Sequence, residues 1–176
     1  MEMEKMEEAD KLKLVSDYAI ENYKNGLNCA ESVFDALIRI GALKVPKGTI
    51  AMCTGFGGGI GLAGATCGAL SAAIMANGAK YGRPDPMSVD SSVRASEIAE
   101  KYYRRYNNIV NEFIKRNGCT SCKEITGKYD NWVSRERRIN CLKMIGATAQ
   151  LAYKYLQIPQ EEAFKLPYGD NMRNMK

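Results

Sequence analysis

The chain has 176 residues, 45% hydrophobic and 26% charged, with a formal net charge of +5. This is the balance of a globular protein of one domain with an apolar core. Histidine is absent, which excludes Cys2His2 zinc sites, His-ligated haem, Cys-x-x-Cys-His haem attachment and Ser–His or Cys–His dyads.

The opening residues, MEMEKMEEADKLKL, are charged and lack the apolar run of a signal peptide. They point to a cytoplasmic protein, where six cysteines serve as metal ligands, catalytic groups or buried residues more readily than as a disulfide set. Ala9, Leu12, Val15, Ala19 and Tyr23 recur at helical spacing. Asn28 reads as an N-cap, followed by Val33, Phe34, Leu37, Ile38 and Ile40 up to a stop at Gly41. Pro46 opens a short helix toward Met52.

The tract Phe56-Gly-Gly-Gly-Ile-Gly follows. It lacks the lysine of a phosphate-binding Walker loop, and no βαβ pattern surrounds it, so nucleotide binding is not expected. Its glycines, Thr66 and Asn77 interrupt any run long enough to span a membrane. The tract reads as a glycine turn into an Ala-rich helix over 66–80, capped by Thr66 and weakened near Asn77 and Gly78. Glycines there leave room for helix packing, a metal cluster or a partner backbone.

Gly82, Pro84 and Pro86 form a loop. Val89, Val93, Ala99, Tyr102, Tyr106, Ile109 and Phe113 then mark one long amphipathic helix ending near Gly118. Tyr102, Tyr103 and Tyr106 read as core or groove residues. A short helix is expected over 122–126. Ile139, Leu142, Ile145, Ala149, Ala152 and Leu156 mark the last long helix, before Pro159. Arg135, Arg137 and Arg138 read as a solvated helix face; with no nucleic-acid motif beside them, no nucleic-acid partner is expected. The prediction is an all-α bundle forming a single domain over 1–176, with a mobile or late-packing tail over about 166–176.

Four of the six cysteines follow residues of cap type: Asn28–Cys29, Thr66–Cys67, Ser121–Cys122 and Asn140–Cys141. Asn28 and Ser121 also have a glutamate three residues on, Glu31 and Glu124, as in a capping box. A cysteine in the first helical turn has its thiolate favoured by the helix dipole. Cys141 fits this pattern least, because its helix can begin before Arg137. Cys119-Thr-Ser-Cys122 is a C-x-x-C, a candidate redox pair or half of a metal site. Cys53 and Cys119 lie outside the cap pattern.

These residues resemble the C_GCAxxG_C_C family, to which redox activity is ascribed on the strength of its cysteines. The resemblance rests on Asn28-Cys-Ala-Glu-Ser-Val, the Phe56-Gly-Gly-Gly tract leading to Cys67-Gly-Ala, Cys122-Lys-Glu-Ile-Thr-Gly, and Cys141. It runs over about 22–156. Ala72 stands where the family pattern has a glycine. The family cysteines fall on Cys29, Cys67, Cys122 and Cys141. A similar region of split-Soret cytochrome c is associated with an iron–sulfur site, so the resemblance implies these four as ligands of an iron–sulfur cluster used in electron transfer. Two alternatives stay open: metal-free dithiol–disulfide exchange, with Cys119 and Cys122 the first pair, and a helical partner-binding module whose cysteines are buried or bind structural zinc. The expected partner is a redox protein that the sequence does not name; self-association into a homo-oligomer stays open. No membrane contact, nucleotide or haem is expected.

Overall fold

The computed structural model describes residues 6–172. Among these residues, eight α-helices account for the architecture: α1 (Glu8–Lys24), α2 (Cys29–Arg39), α3 (Gly68–Tyr81), α4 (Ser91–Glu97), α5 (Tyr103–Asn117), α6 (Cys122–Thr126), α7 (Arg135–Gln157) and α8 (Gln160–Ala163). No strand occurs among the described residues; one isolated antiparallel bridge joins Thr66 and Ser121. The all-α prediction therefore holds.

The core lies between α1, α2, α3 and α7, with α5 against α7 and α3. Val15 and Ala19 of α1, Val33, Phe34 and Leu37 of α2, Leu70 and Ala73 of α3 and Ile145, Ala149 and Leu156 of α7 are buried, with Ile109 and Phe113 of α5. Small residues let the helices approach closely. A Cβ at Gly146 would stand 2.5 Å from Ser16 Oγ, so α1 crosses α7 on bare backbone. Ala72 is fully buried at the α3 position where the family pattern has glycine.

Three expectations are corrected. The Ala-rich helix starts at Gly68 rather than Thr66, with Cys67 itself at the N-cap. Its final turns persist because Asn77, fully buried, donates from Nδ2 to the carbonyls of Ala73 and Ala152. The single helix predicted from Val89 onward is three segments: α4, a π-helical turn over Ile98–Tyr102, and α5, ending at Gly118 with φ 87°. A π turn shifts the register of the apolar face, so the two halves need not share one stripe. Tyr102 and Tyr106 are half-buried while Tyr103 is exposed, and all three line grooves. Through 166–171 the tail is hydrogen-bonded to α5 and to the π-helical turn before it. Pro167 accepts from Asn108 Nδ2, the Gly169 amide donates to Asn107 Oδ1, and the Tyr168 hydroxyl donates to the Ala99 carbonyl. Residues 173–176 of the predicted tail lie outside the described residues.

The segment Lys47–Phe56 is a 3-10 helix led by Pro46. Beyond it the chain enters a run of five residues with positive φ: Gly58, Gly59, Ile60, Gly61 and Leu62, between 60° and 72°. A left-handed turn costs a side-chain-bearing residue about 1–2 kcal/mol, so Ile60 and Leu62 are strained. Hydrogen bonds from the amides of Leu62, Gly64 and Ala65 to the carbonyls of Gly57, Gly58 and Gly59 hold it.

Candidate functional site

The left-handed turn forms one wall of a cavity of about 480 Å³. Cys29, Cys67, Cys122 and Cys141 all line it. Cys53 and Cys119 do not. Four segments distant in sequence thus deliver four thiols to one space, and all six cysteines are free thiols.

Each thiol is placed by local chemistry. Asn28 caps α2: its Oδ1 accepts from the amides of Ala30 (2.9 Å) and Glu31 (3.0 Å), and Glu31 Oε2 accepts from the Asn28 amide (3.0 Å). This is a full capping box, and it sets Cys29 in the first turn. The same groups tie α2 to the neighbouring 3-10 segment, since Asn28 Nδ2 donates to the Thr54 carbonyl and Thr54 Oγ1 to Glu31 Oε1.

Cys67 and Cys122 are locked together through the backbone. The Cys67 amide donates to the Thr120 carbonyl (2.8 Å), and the Cys122 amide to Ala65 (2.7 Å). Ser121 caps α6 through the Glu124 amide at 3.2 Å. Beneath them, a Cβ on Gly59 would meet Cys122 Cβ at 2.6 Å, and its φ of 72° also favours glycine. A Cβ on Gly68 would meet Cys29 Sγ and the Phe56 carbonyl, each at 2.5 Å.

Cys141 is not at a helix start. Ser134 caps α7 through the Arg137 amide, and Cys141 lies well inside that helix. It reaches the cavity because it shares a face with Arg137, one turn earlier. Arg137 Nη1 lies 3.8 Å from Cys141 Sγ.

Burial overturns the expectation of lowered thiol pKa values at three of these positions. It pushes Cys67 up to about 12 and Cys122 up to about 11, with the like charge of Cys29 adding to both. The Leu70 and Ala69 amides at the start of α3 pull Cys67 the other way without winning. Burial also raises Cys141, partly offset by Arg137. At Cys67 and Cys122, desolvation of the thiolate outweighs the helix dipole. The like charge of Cys29 raises Cys141 as well.

Of the remaining pair, Cys53 is fully buried and pushed up to about 11, again mainly by burial. Cys119 is half-buried, its Sγ 3.8 Å from the Ser121 carbonyl. The C-x-x-C therefore splits, with Cys122 on the cavity and Cys119 off it.

Arg137 is the residue the sequence reading misplaced. Its flanks Arg135 and Arg138 are exposed as expected, but Arg137 is buried and lines the cavity. Its guanidinium lies 3.9 Å from the ring centroid of Trp132. The available signal was spacing, since Arg137 and Cys141 are four apart and so on one helical face.

Among the described residues, no group of three or more thiols and carboxylates is gathered as a set that could hold a metal ion. The four thiols surround a space rather than a point. No described helix is long and apolar enough to cross a membrane.

No solved structure matches the chain. A protein of Archaeoglobus fulgidus named "Uncharacterized protein" is 28% identical over 155 residues, covering 86% of this chain and 97% of its own length. The model of the family described as "Putative redox-active protein (C_GCAxxG_C_C)" matches residues 27–155, from the α2 cap through nearly all of α7 and so across all four cavity thiols. The chain belongs to that C_GCAxxG_C_C family.

Proposed function

We propose that this protein carries electrons through an iron–sulfur cluster held by Cys29, Cys67, Cys122 and Cys141. The observation that carries the reading is the sorting of the cysteines: these four, from α2, α3, α6 and α7, line one cavity, and the other two do not. Four thiolates suit two-iron and four-iron clusters alike. When bound, such a cluster accepts and releases single electrons.

The donor set fits a body larger than one ion. Zinc draws its sulfurs to about 2.3 Å from a single point, whereas these thiols stand around a cavity of about 480 Å³. The elevated pKa values of Cys67 and Cys122 speak against either of them as the attacking thiol of a metal-free exchange. A thiol near 11 is ionised at neutral pH in only about one molecule in ten thousand, too little for efficient attack on a disulfide. A bound metal deprotonates its thiols outright. The capping box, the Gly59 and Gly68 contacts and Arg137 are this chain's own contributions, orienting the four sulfurs before anything binds.

Anaerobic purification, followed by iron and sulfide assay and visible absorbance, tests the proposal. The expected result is a coloured protein with matching iron and acid-labile sulfide. A colourless, iron-free protein after reconstitution overturns it, and reversible two-electron thiol titration in that protein would establish dithiol exchange instead.

A further inference from the structure

Arg137 poses a separate problem. It is only 7% exposed, no carboxylate pairs with it among the described residues, and its Nε finds no acceptor. Burying an unpaired guanidinium costs several kcal/mol in general. The cavity it lines contains no aspartate or glutamate. Arg137 Nη1 lies 3.8 Å from Cys141 Sγ, and its guanidinium hydrogen-bonds the Tyr23 hydroxyl; neither contact is with a carboxylate.

Two further features suit an anion. Among the described residues, no carbonyl accepts from the amides of Gly58 or Gly61, both on the cavity wall. The volume, about 480 Å³, falls in the roughly 300–1,000 Å³ range of small-molecule sites.

We propose that this cavity contains, beside its four thiols, a subsite for a small oxyanion or carboxylate clamped by Arg137. The planar guanidinium recognises both classes through paired N–H donors, and its stacking on Trp132 holds it in place. The inference goes beyond cluster binding and stands without it. With a cluster bound, the site would be a place where an anionic substrate meets the redox centre, rather than a relay for electrons alone.

Trp132 is the only tryptophan in the chain, so its fluorescence reports on the Arg137 stack. The metal-free and the iron-reconstituted protein are titrated with sodium sulfate and with sodium acetate, against sodium chloride at equal ionic strength. The expected result is saturable change with sulfate or acetate at about 1–10 mM and none with chloride; which of the two binds more tightly separates oxyanion from carboxylate. Arg137→Met is expected to weaken binding about tenfold or more, and Arg137→Lys, which keeps the charge and loses the fork, about threefold. Circular dichroism checks that each variant is folded; if Arg137→Met is not, Arg137→Lys decides. Absence of saturation in wild type, or unchanged affinity in the folded variants, overturns the proposal. Anion binding by metal-free protein that vanishes on reconstitution also overturns it, because Arg137 would then serve the metal centre alone. A chain that takes up no iron but binds the anion defeats cluster binding and leaves the subsite standing.

Discussion

Gly68→Ala probes a close approach to the Cys29 sulfur. A Cβ there would lie 2.5 Å from Cys29 Sγ and 2.5 Å from the Phe56 carbonyl oxygen, whereas unstrained contacts fall at about 3.5–4.0 Å. Both neighbours must therefore retreat by about 1 Å. One is the sulfur that couples to the other three cavity thiols; the other is backbone at the end of the 3-10 segment. Overpacking of this kind costs about 1–3 kcal/mol. The helix-propensity gain of alanine, at most about 1 kcal/mol in a helix interior, offsets little of this, because Gly68 is the first residue of α3. For a domain of this size each kcal/mol lowers Tm by about 2–4 °C. Urea unfolding of metal-free protein, followed by circular dichroism, measures the loss. Gly55→Ala is the control, since a Cβ there meets nothing within 4 Å. Equal stability of the two variants would refute the packing of Gly68 against the Cys29 sulfur.

Asn28→Ala removes both capping acceptor bonds and the link to Thr54. It should cost about 1–2 kcal/mol and speed alkylation of Cys29, read by mass spectrometry; an unchanged alkylation rate would count against the cap as the device that places this thiol. Metal-free protein should lose stability as pH rises. Cys53, Cys67 and Cys122 hold their protons up to about 11 or 12 when folded, but only to about 9 when unfolded. Between those values the native state binds more protons than the unfolded state, so unfolding free energy falls with pH. Urea midpoints that stay level from pH 8.5 to 10.5 would contradict the buried thiols. Iron uptake should rise with pH over the same range, because ligation releases thiol protons.

Much of the fold was legible in the helical spacing of apolar residues. Phe34 and Leu37, or Ile145 and Ala149, lie where that spacing puts them, buried on one face. The cap signals were legible for Cys29 and Cys122, because Asn and Ser side chains act locally on the next turn. They failed for Cys67, where Thr66 is held by pairing with Ser121 and the helix starts later. They failed for Cys141, where Ser134 caps α7 upstream of Asn140. The thiol pKa values were misread for a related reason: the helix dipole is visible in a sequence, whereas burial depends on what packs across the site. The left-handed turn was hidden too, since Ile60 and Leu62 carry no propensity for positive φ. Arg137 was hidden by its exposed neighbours Arg135 and Arg138.

The most direct test of cluster binding is iron and acid-labile sulfide content, after anaerobic reconstitution, across six single-cysteine variants. Cys29→Ser, Cys67→Ser, Cys122→Ser and Cys141→Ser should each lose most of the bound iron. Cys119→Ser and Cys53→Ala should keep the wild-type amount, because neither thiol lines the cavity. Iron lost from Cys119→Ser as fully as from Cys67→Ser, or no iron in the wild type, would contradict the account.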